Sequence, residues 1–126
     1  MTLSILEQVR LAAAAAQDKK AEAVEILDLD GLTSLTSYFL ICHGGSQRQV
    51  RAIADEVQKR LRDAKVRPAN VEGEAGTDWV LMDYLDFVVH VFTADRRTFY
   101  SLEKLWSEAP RLDTPLPAPA QAGPRS

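Results

Sequence analysis

The segment from Trp79 to Phe92 constrains the fold more than any other part of this chain. Its sequence is WVLMDYLDFVVHVF, and apolar side chains alternate with a period of two on both sides of Tyr84 to Asp86. This pattern predicts two strands joined by a tight turn. Successive residues of the first strand point to opposite faces, with Trp79, Leu81 and Asp83 on one and Val80, Met82 and Tyr84 on the other. A strand that is apolar on both faces is either enclosed in the core or keeps one face for a partner.

Length and charge restrict the classes of protein to consider. A chain of 126 residues fits one domain, and its net charge of −3 lacks the footprint of a phosphate-backbone binder. An acidic domain is better suited to a basic protein partner. The single cysteine excludes an internal disulfide and a multi-cysteine zinc site. The amphipathic N-terminus is not a signal peptide, and no segment is long and apolar enough to span a membrane. We therefore expect a cytoplasmic protein.

The first half of the chain predicts a helix, two strands and a second helix. Ser4 and Glu7 fit a capping box before an alanine-rich helix. A strand around Val24 and Ile26 precedes a turn, and Tyr38 to Cys42 is apolar on both faces, which indicates a central strand. Ser46 and Gln49 fit a second capping box. Its helix has an apolar stripe of Val50, Ile53, Ala54, Val57 and Leu61 opposite charged residues.

The second half predicts a short strand at Asn70 to Glu72, the hairpin, and a last helix from about Thr98 to Glu108. In that helix the residues expected to face inward are Phe99, Leu102, Leu105 and Trp106. The crossover between the strands at Tyr38 and Asn70 predicts at least one parallel pair. We expect an α/β (α+β) single domain over residues 1–109, with a mixed β-sheet of about five strands. The Pro- and Ala-rich segment 110–126 is expected to be disordered.

Neither the cysteine nor the histidines indicate a catalytic or metal site. Cys42 and His43 are adjacent on a strand and therefore point to opposite faces, so His43 is a poor base for Cys42. Cysteine is among the most buried residue types, which favours a core role for Cys42. His43 and His90 lack a spaced set of further ligands, and His90 is expected to be a hydrogen-bonded core or interface residue. We expect no cofactor and no metal.

Gly44-Gly45-Ser46 before a helix suggests phosphate binding, but the Walker spacing is missing. A nucleotidyltransferase would also need two or three carboxylates that converge on metal ions. Asp83 and Asp86 only flank a turn, and Asp28 and Asp30 precede the glycines. A tight turn with a helix cap explains the motif. Two alternatives stay open. One is a metal-dependent nucleotidyltransferase-like enzyme or hydrolase that uses Gly44, Gly45 and Ser46 with Asp83 and Asp86, and the other is an RNA-binding domain that uses Arg48, Arg51, Lys59 and Arg62.

Several motifs follow one another in a specific order along the chain. They are Tyr38-Phe39-Leu40-Ile41, Ser46-x-Arg48-Gln49-Val50-x-Ala52-Ile53-Ala54, Glu72-Gly73, Trp79-Val80-Leu81-Met82-Asp83-Tyr84, Asp86-x-Val88-Val89-His90-Val91-Phe92 and Phe99-Tyr100-x-Leu102-Glu103-x-Leu105-Trp106. Together they resemble the ribosomal silencing factor family, also called the Iojap-related proteins. The resemblance covers roughly Leu3 to Glu108.

The resemblance implies a nucleotidyltransferase-like topology without the catalytic carboxylates, and no enzymatic activity. It implies a translational repressor that binds a protein of the large ribosomal subunit and sterically blocks association with the small subunit, lowering translation under nutrient limitation. By analogy the partner-binding residues would be Trp79, Leu81, Met82, Asp83 and Tyr84. A homodimer could hide the same surface, and no nucleic acid or membrane partner is expected.

One position departs from the family pattern, which commonly has Asp before the Tyr-Phe of the second strand. This chain has Ser37 there. Serine can replace aspartate as a turn or cap acceptor, so the fold is expected to be undisturbed. If the aspartate contacts the partner, affinity would fall by roughly 1–3 kcal/mol. We further predict from the sequence that Trp79→Ala or Tyr84→Ala abolishes subunit binding while leaving the fold largely intact.

Overall fold

The structure, a computed structural model, describes residues 3–73, 77–100 and 107–112. Its elements are, in chain order, α1 (Ile5–Asp18), β1 (Glu22–Asp28), β2 (Tyr38–Gly44), α2 (Gln47–Asp63), β3 (Asn70–Glu72), β4 (Trp79–Asp83), β5 (Phe87–Thr93), α3 (Ala94–Tyr100) and β6 (Arg111–Leu112). The predicted mixed α+β domain is confirmed, with six strands in one sheet where about five were expected. No helix within these ranges is long and apolar enough to span a membrane.

The sheet has the strand order β3-β4-β5-β2-β1-β6. Its centre is the parallel pair β2 and β5, in which Tyr38 lies opposite Phe87 and Gly44 opposite Thr93. The other neighbouring strands are antiparallel. The predicted parallel pair therefore exists, but β2 pairs with β5, and the crossover through α2 leads to β3 at the sheet edge. The near-continuous apolar run of β5 suits the centre, whereas β3 has three exposed residues.

Both helices of the first half pack on one face of the sheet. The predicted stripe of α2 is buried along its whole length, and the alanines Ala12, Ala13, Ala15 and Ala16 of α1 have no exposed surface. Their small side chains allow close approach of the two helices and the sheet. The sheet side chains in this helix-covered core include Ile26, Leu40, Cys42, Val80, Met82, Phe87, Val89 and Val91. A smaller cluster lies on the opposite face and contains Leu27, Leu29, Ile41, Phe92 and Ala109.

The two predicted capping boxes differ in the structure. At α1 the box is complete, since Glu7 N–H donates to Ser4 Oγ (3.1 Å) and Ser4 N–H donates to Glu7 Oε1 (2.8 Å). At α2, Gln49 N–H donates to Ser46 Oγ (3.1 Å), but Gln49 Oε1 accepts from Gly45 N–H (2.7 Å). The predicted reciprocal bond from Ser46 N–H to the Gln49 side chain is therefore not formed, and that prediction was wrong. The amide nitrogen of Gln49 instead donates to the carbonyls at the end of α1, which ties the two helices together.

The C-terminal part begins and ends differently from the prediction. Helix α3 begins at Ala94 rather than near Thr98, directly after β5. Beyond the predicted boundary, Pro110 O accepts from Asp28 N–H (2.9 Å), and β6 then pairs with β1. The sheet thus continues past residue 109. The predicted inward side chains Phe99, Leu102, Leu105 and Trp106, and the predicted disorder of residues 113–126, lie outside what the structure describes.

Candidate partner-binding surface

Strand β4 divides the five predicted partner-binding residues between two faces. Trp79, Leu81 and Asp83 are half-buried and point away from α1 and α2. Met82 has no exposed surface and Tyr84 is 7% exposed, and both belong to the helix-covered core. Successive side chains of a strand point to opposite faces, so one flat surface cannot contain all five. The predicted surface therefore needs correction at Met82 and Tyr84.

Tyr84 is a core residue at the end of β4. Its ring stacks on Phe87, with 4.8 Å between ring centroids and 9° between planes. Burial raises the pKa of its hydroxyl to about 12, although the charge of Arg62 lowers it slightly. The hydroxyl has no hydrogen-bond partner among the described residues. Replacing Tyr84 by Ala would therefore remove core packing, contrary to the expectation that the fold would stay largely intact.

We define the outer face as Phe39 of β2, Trp79, Leu81 and Asp83 of β4, and Val88 and His90 of β5. Aromatic rings organise it. The Trp79 ring stacks on Phe92 at a centroid distance of 5.2 Å and on His90 at 5.9 Å. Phe39 meets His90 edge-on at 4.7 Å. Rings packed in this way are held in one conformation, which favours rigid recognition.

His90 is a buried, neutral part of this cluster. Trp79 Nε1–H donates to His90 Nδ1 (3.2 Å), which leaves the ring proton of the neutral histidine on Nε2. Burial lowers the pKa of His90 to about 4, so the ring is uncharged near pH 7. Its Nε2 atom has no hydrogen-bond partner in the described part of the chain. The predicted hydrogen-bonded core or interface histidine is confirmed on the Nδ1 side.

Two depressions lie on either side of Leu81. One has a volume of about 470 Å³ and is lined by Glu72, Gly73, Thr77, Asp78, Trp79, Leu81 and Arg96. The other has a volume of about 350 Å³ and is lined by Leu29, Thr33, Leu35, Thr36, Phe39, Leu81, Asp83, Val88 and His90. The loop beside this second depression exposes Leu32 (41%) and Leu35 (84%). Exposed apolar side chains next to a half-buried aromatic face are typical of a protein-binding surface.

Asp78 fixes the start of β4, a role that the sequence analysis missed. Its carboxylate accepts from Gln47 Nε2–H (2.7 Å) and from Arg96 Nε–H (3.3 Å). Both hydrogen bonds hold the pKa of Asp78 below its usual value, and the bond from Gln47 has the larger effect. Its backbone carbonyl accepts from Thr93 N–H (2.9 Å). Asp78 thus joins α2, α3 and β5 at the residue before Trp79, and only its position next to Trp79 could have drawn attention to it.

The candidate catalytic residues do not form a reactive site. Cys42 is fully buried against the helices, and burial raises the pKa of its thiol to about 12. His43 points to the other face, where its Nε2 contacts Glu22 Oε1 (3.2 Å) and its Nδ1 contacts Arg97 Nη1 (3.1 Å). The core role predicted for Cys42 is confirmed. Within the described ranges, no three His, Cys, Asp or Glu side chains are grouped to hold a metal.

The glycines and carboxylates of the nucleotidyltransferase alternative lie at opposite ends of β5, since Gly44 is level with Thr93 at its end and Asp83 with Val88 near its start. The other carboxylate considered, Asp28, is far from Asp83. Asp28 Oδ1 accepts from Asp30 N–H (3.0 Å), and Asp83 Oδ1 accepts from Leu85 N–H (2.8 Å), so both shape turns. Asp28 lies on β1 and Asp83 on β4, with β2 and β5 between them. Three strand spacings correspond to roughly 14 Å. Asp28 and Asp83 therefore cannot share one metal ion in this fold.

The charged face of α2 lies opposite its buried stripe, away from the sheet. Arg51 pairs with Asp55 (3.2 Å) and Lys59 with Asp63 (3.6 Å), and all four side chains are about half exposed or more. Such pairs between successive helical turns are typical of a solvated helix surface. The geometry adds no support for RNA binding by this face.

The chain has relatives among known protein families and solved structures. The model of the family described as "Ribosomal silencing factor during starvation" matches residues 2–126. The chain belongs to the ribosomal silencing factor family. The Bacillus subtilis protein named Ribosomal silencing factor RsfS is 46% identical over 105 residues, which cover 83% of this chain and 89% of that relative. The resemblance read from the sequence is thereby confirmed.

A solved structure and a more distant relative extend this comparison. The crystal structure of a Chromobacterium violaceum protein aligns with a TM-score of 0.80 at 37% identity, covering 98% of this chain and 100% of that one. A mouse protein named Mitochondrial assembly of ribosomal large subunit protein 1 is 33% identical over 75 residues, which cover 57% of this chain and 33% of the mouse protein. The fold described above is therefore shared with the Chromobacterium violaceum protein over nearly the whole length of both chains.

Proposed function

We propose that this ribosomal silencing factor binds a protein of the large ribosomal subunit through its outer face. While bound, it would keep the small subunit from joining by occupying the space that the small subunit needs. This exclusion would lower translation under nutrient limitation. The mechanism needs no chemistry, in keeping with the separation of the candidate catalytic residues. We propose that the protein acts in the cytoplasm, on the ribosomes there.

The observation that carries the proposal is the apolar character of β4 on both faces. Val80 and Met82 are buried under the helices, whereas Trp79 and Leu81 are half-buried on the outer face. Apolar and aromatic side chains at partly exposed strand positions are favoured anchors in protein interfaces. Asp83 adds negative charge at the edge of this face, which fits the basic surface of a ribosomal protein.

The family and the name of the mouse relative support the ribosome as target. That relative is named for the assembly of the large ribosomal subunit in mitochondria. An interface of about 800 Å² on each partner is sufficient for stable binding. A second copy of this chain could cover the same outer face, so we propose that a homodimer and the ribosome complex compete.

Co-sedimentation on sucrose gradients tests the proposal. The purified protein is mixed with separate small subunits, separate large subunits and intact ribosomes. We expect binding to the large subunit only, and fewer joined ribosomes as more protein is added. Trp79→Ala should abolish this binding, because it removes the largest aromatic anchor of the outer face.

Two results would contradict the proposal in different ways. If the wild-type protein sediments with neither subunit, the large-subunit target is wrong for this chain. If folded Trp79→Ala protein binds with wild-type affinity, the target stands but the surface is wrong. Leu81→Ala is a second outer-face variant, and Lys59→Ala on the exposed side of α2 is the matched control that should bind normally.

A further inference from the structure

Buried polar atoms without partners are concentrated at one depression of the outer face. Within the described ranges, three buried side-chain polar atoms lack a hydrogen bond: Thr36 Oγ1, His90 Nε2 and Tyr84 Oη. Thr36 and His90 both line the depression of about 350 Å³ beside Leu81. A buried polar atom without a partner destabilises the folded chain, so such atoms usually have an explanation in function or in an absent bonding group.

The hydrogen-bonding directions in this depression are largely determined. His90 Nε2 is a donor, because Nδ1 already accepts from the Trp79 indole. The Thr36 hydroxyl can donate or accept. Asp83 offers a carboxylate, one oxygen of which accepts from Leu85 N–H. Most of the remaining lining is aliphatic or aromatic, from Leu29, Leu35, Phe39, Leu81 and Val88.

We propose that this depression receives a carboxamide side chain, Asn or Gln, from the partner protein. Its carbonyl oxygen would accept from His90 Nε2–H, and its amide group would donate to the Thr36 hydroxyl or the Asp83 carboxylate. A carboxylate in the same place would be repelled by Asp83, and an ammonium group would offer no acceptor to His90. This inference rests on the proposed function and adds the chemistry of one anchor to it.

The depression can admit such a group without disturbing the core. Leu35 lines it and is 84% exposed, so its side chain makes few contacts that would resist a rotation. Thr33 holds this part of the loop through its hydroxyl, which accepts from Leu35 N–H (3.1 Å). The stem of one methylene group in Asn, or two in Gln, would pack on Phe39 and Val88 while its polar end reaches the buried atoms.

Two isosteric substitutions test whether an unpartnered hydroxyl bonds the partner protein or is only a defect of packing. Thr36→Val removes an unpartnered hydroxyl from the depression beside Leu81, and Tyr84→Phe removes one from the helix-covered core. Both should raise the melting temperature of the free protein by about 3 °C, since each removes a buried polar group that has no partner. Only Thr36→Val should weaken binding to the large subunit, by roughly tenfold in Kd. Thr36→Ser keeps the hydroxyl and should bind like the wild type.

The outcomes distinguish this inference from the proposed function. Wild-type protein that fails to bind large subunits overturns the proposed function, and with it the partner. Wild-type binding together with unchanged affinity of Thr36→Val overturns only the carboxamide site. A direct probe is NMR of the His90 ring with acetamide or acetate added. A shift of the Nε2–H resonance with acetamide alone supports the assignment, whereas an equal shift with acetate, or none with either, overturns it.

Discussion

The two faces of β4 have nearly the same apolar character but different surroundings. On the inner face, Val80, Met82 and Tyr84 are at most 7% exposed and pack under α1 and α2. On the outer face, Trp79, Leu81 and Asp83 remain half-buried beside two depressions. The difference comes from the helices, which cover one side only. Successive residues of one strand can therefore serve stability and, as we propose, recognition.

The two faces also differ in how their polar groups are placed. The inner face buries a thiol and a phenol hydroxyl, and burial raises the pKa of both Cys42 and Tyr84 to about 12. The outer face holds the neutral imidazole of His90, in contact with Trp79 and next to an open depression. Groups of the inner face are enclosed by the protein itself. Those of the outer face are near enough to the surface to be reached by a partner.

The largest expected effect contrasts neighbouring residues of β4. Met82→Ala should lower the free energy of unfolding by roughly 2–5 kcal/mol, because it leaves a cavity in a close-packed core. Leu81→Ala removes only half-buried surface, so we expect a loss of about 1 kcal/mol. Urea unfolding monitored by circular dichroism measures both. Equal losses in the two variants would show that the outer face is packed as closely as the core.

His90 should make the stability of the folded chain sensitive to acid. Its pKa is about 4 in the folded chain against an ordinary value of 6.5, so between these pH values only the unfolded chain binds the proton. Stability should therefore fall as pH drops from about 6.5 to about 4, by roughly 3 kcal/mol in total. Unfolding free energies measured at several pH values should show this slope. In the His90→Gln variant, the contribution of His90 to the slope should be absent. An unchanged slope in that variant would mean that other groups cause it.

The Trp79–His90 hydrogen bond should contribute less. Trp79→Phe keeps an aromatic ring but removes the indole donor, which leaves His90 Nδ1 buried without its partner. We expect a loss of about 1–2 kcal/mol in unfolding free energy. Phe has no ring nitrogens, so in the double variant with His90→Phe the loss of unfolding free energy should be smaller than the sum of the losses in the two single variants. Full additivity in this double-mutant cycle would show that the bond contributes nothing.

The smallest effect is expected far from both faces of β4. Lys59→Ala breaks the exposed ion pair with Asp63, so the unfolding free energy should change by at most about 0.5 kcal/mol. Large-subunit binding should not change. A marked loss of binding, together with a steeper dependence on salt in the wild type than in the variant, would revive the RNA-binding alternative for α2.

Local patterns were sufficient to predict most elements of this fold. The capping box at Ser4, the apolar stripe of α2 and the hairpin on either side of Tyr84 all depend on residues close in sequence. The predictions failed where residues far apart in the sequence form a hydrogen bond or pair as neighbouring strands. Gln49 bonds Gly45 and the end of α1 instead of completing its own box, and β5 rather than β3 lies beside β2. Sequence spacing does not contain those long-range choices.

The candidate surface shows the same limit. The alternation in β4 established that Trp79 and Tyr84 point to opposite faces, but not which face the helices cover. The packing of α1 and α2 decided that, and it assigned Met82 and Tyr84 to the core. Asp78, Thr36 and His90 acquired roles only through neighbours from other elements.

The sequence by itself determined the family, the elements and the two-faced character of β4, because periodicity and family motifs are properties of residue order. Only the tertiary structure decided which face is covered, how the strands are ordered, and which polar atoms remain without partners. Those features depend on groups far apart in the chain that meet only when the whole domain packs. Burial and hydrogen bonds that depend on such distant groups therefore cannot be read from residue order alone.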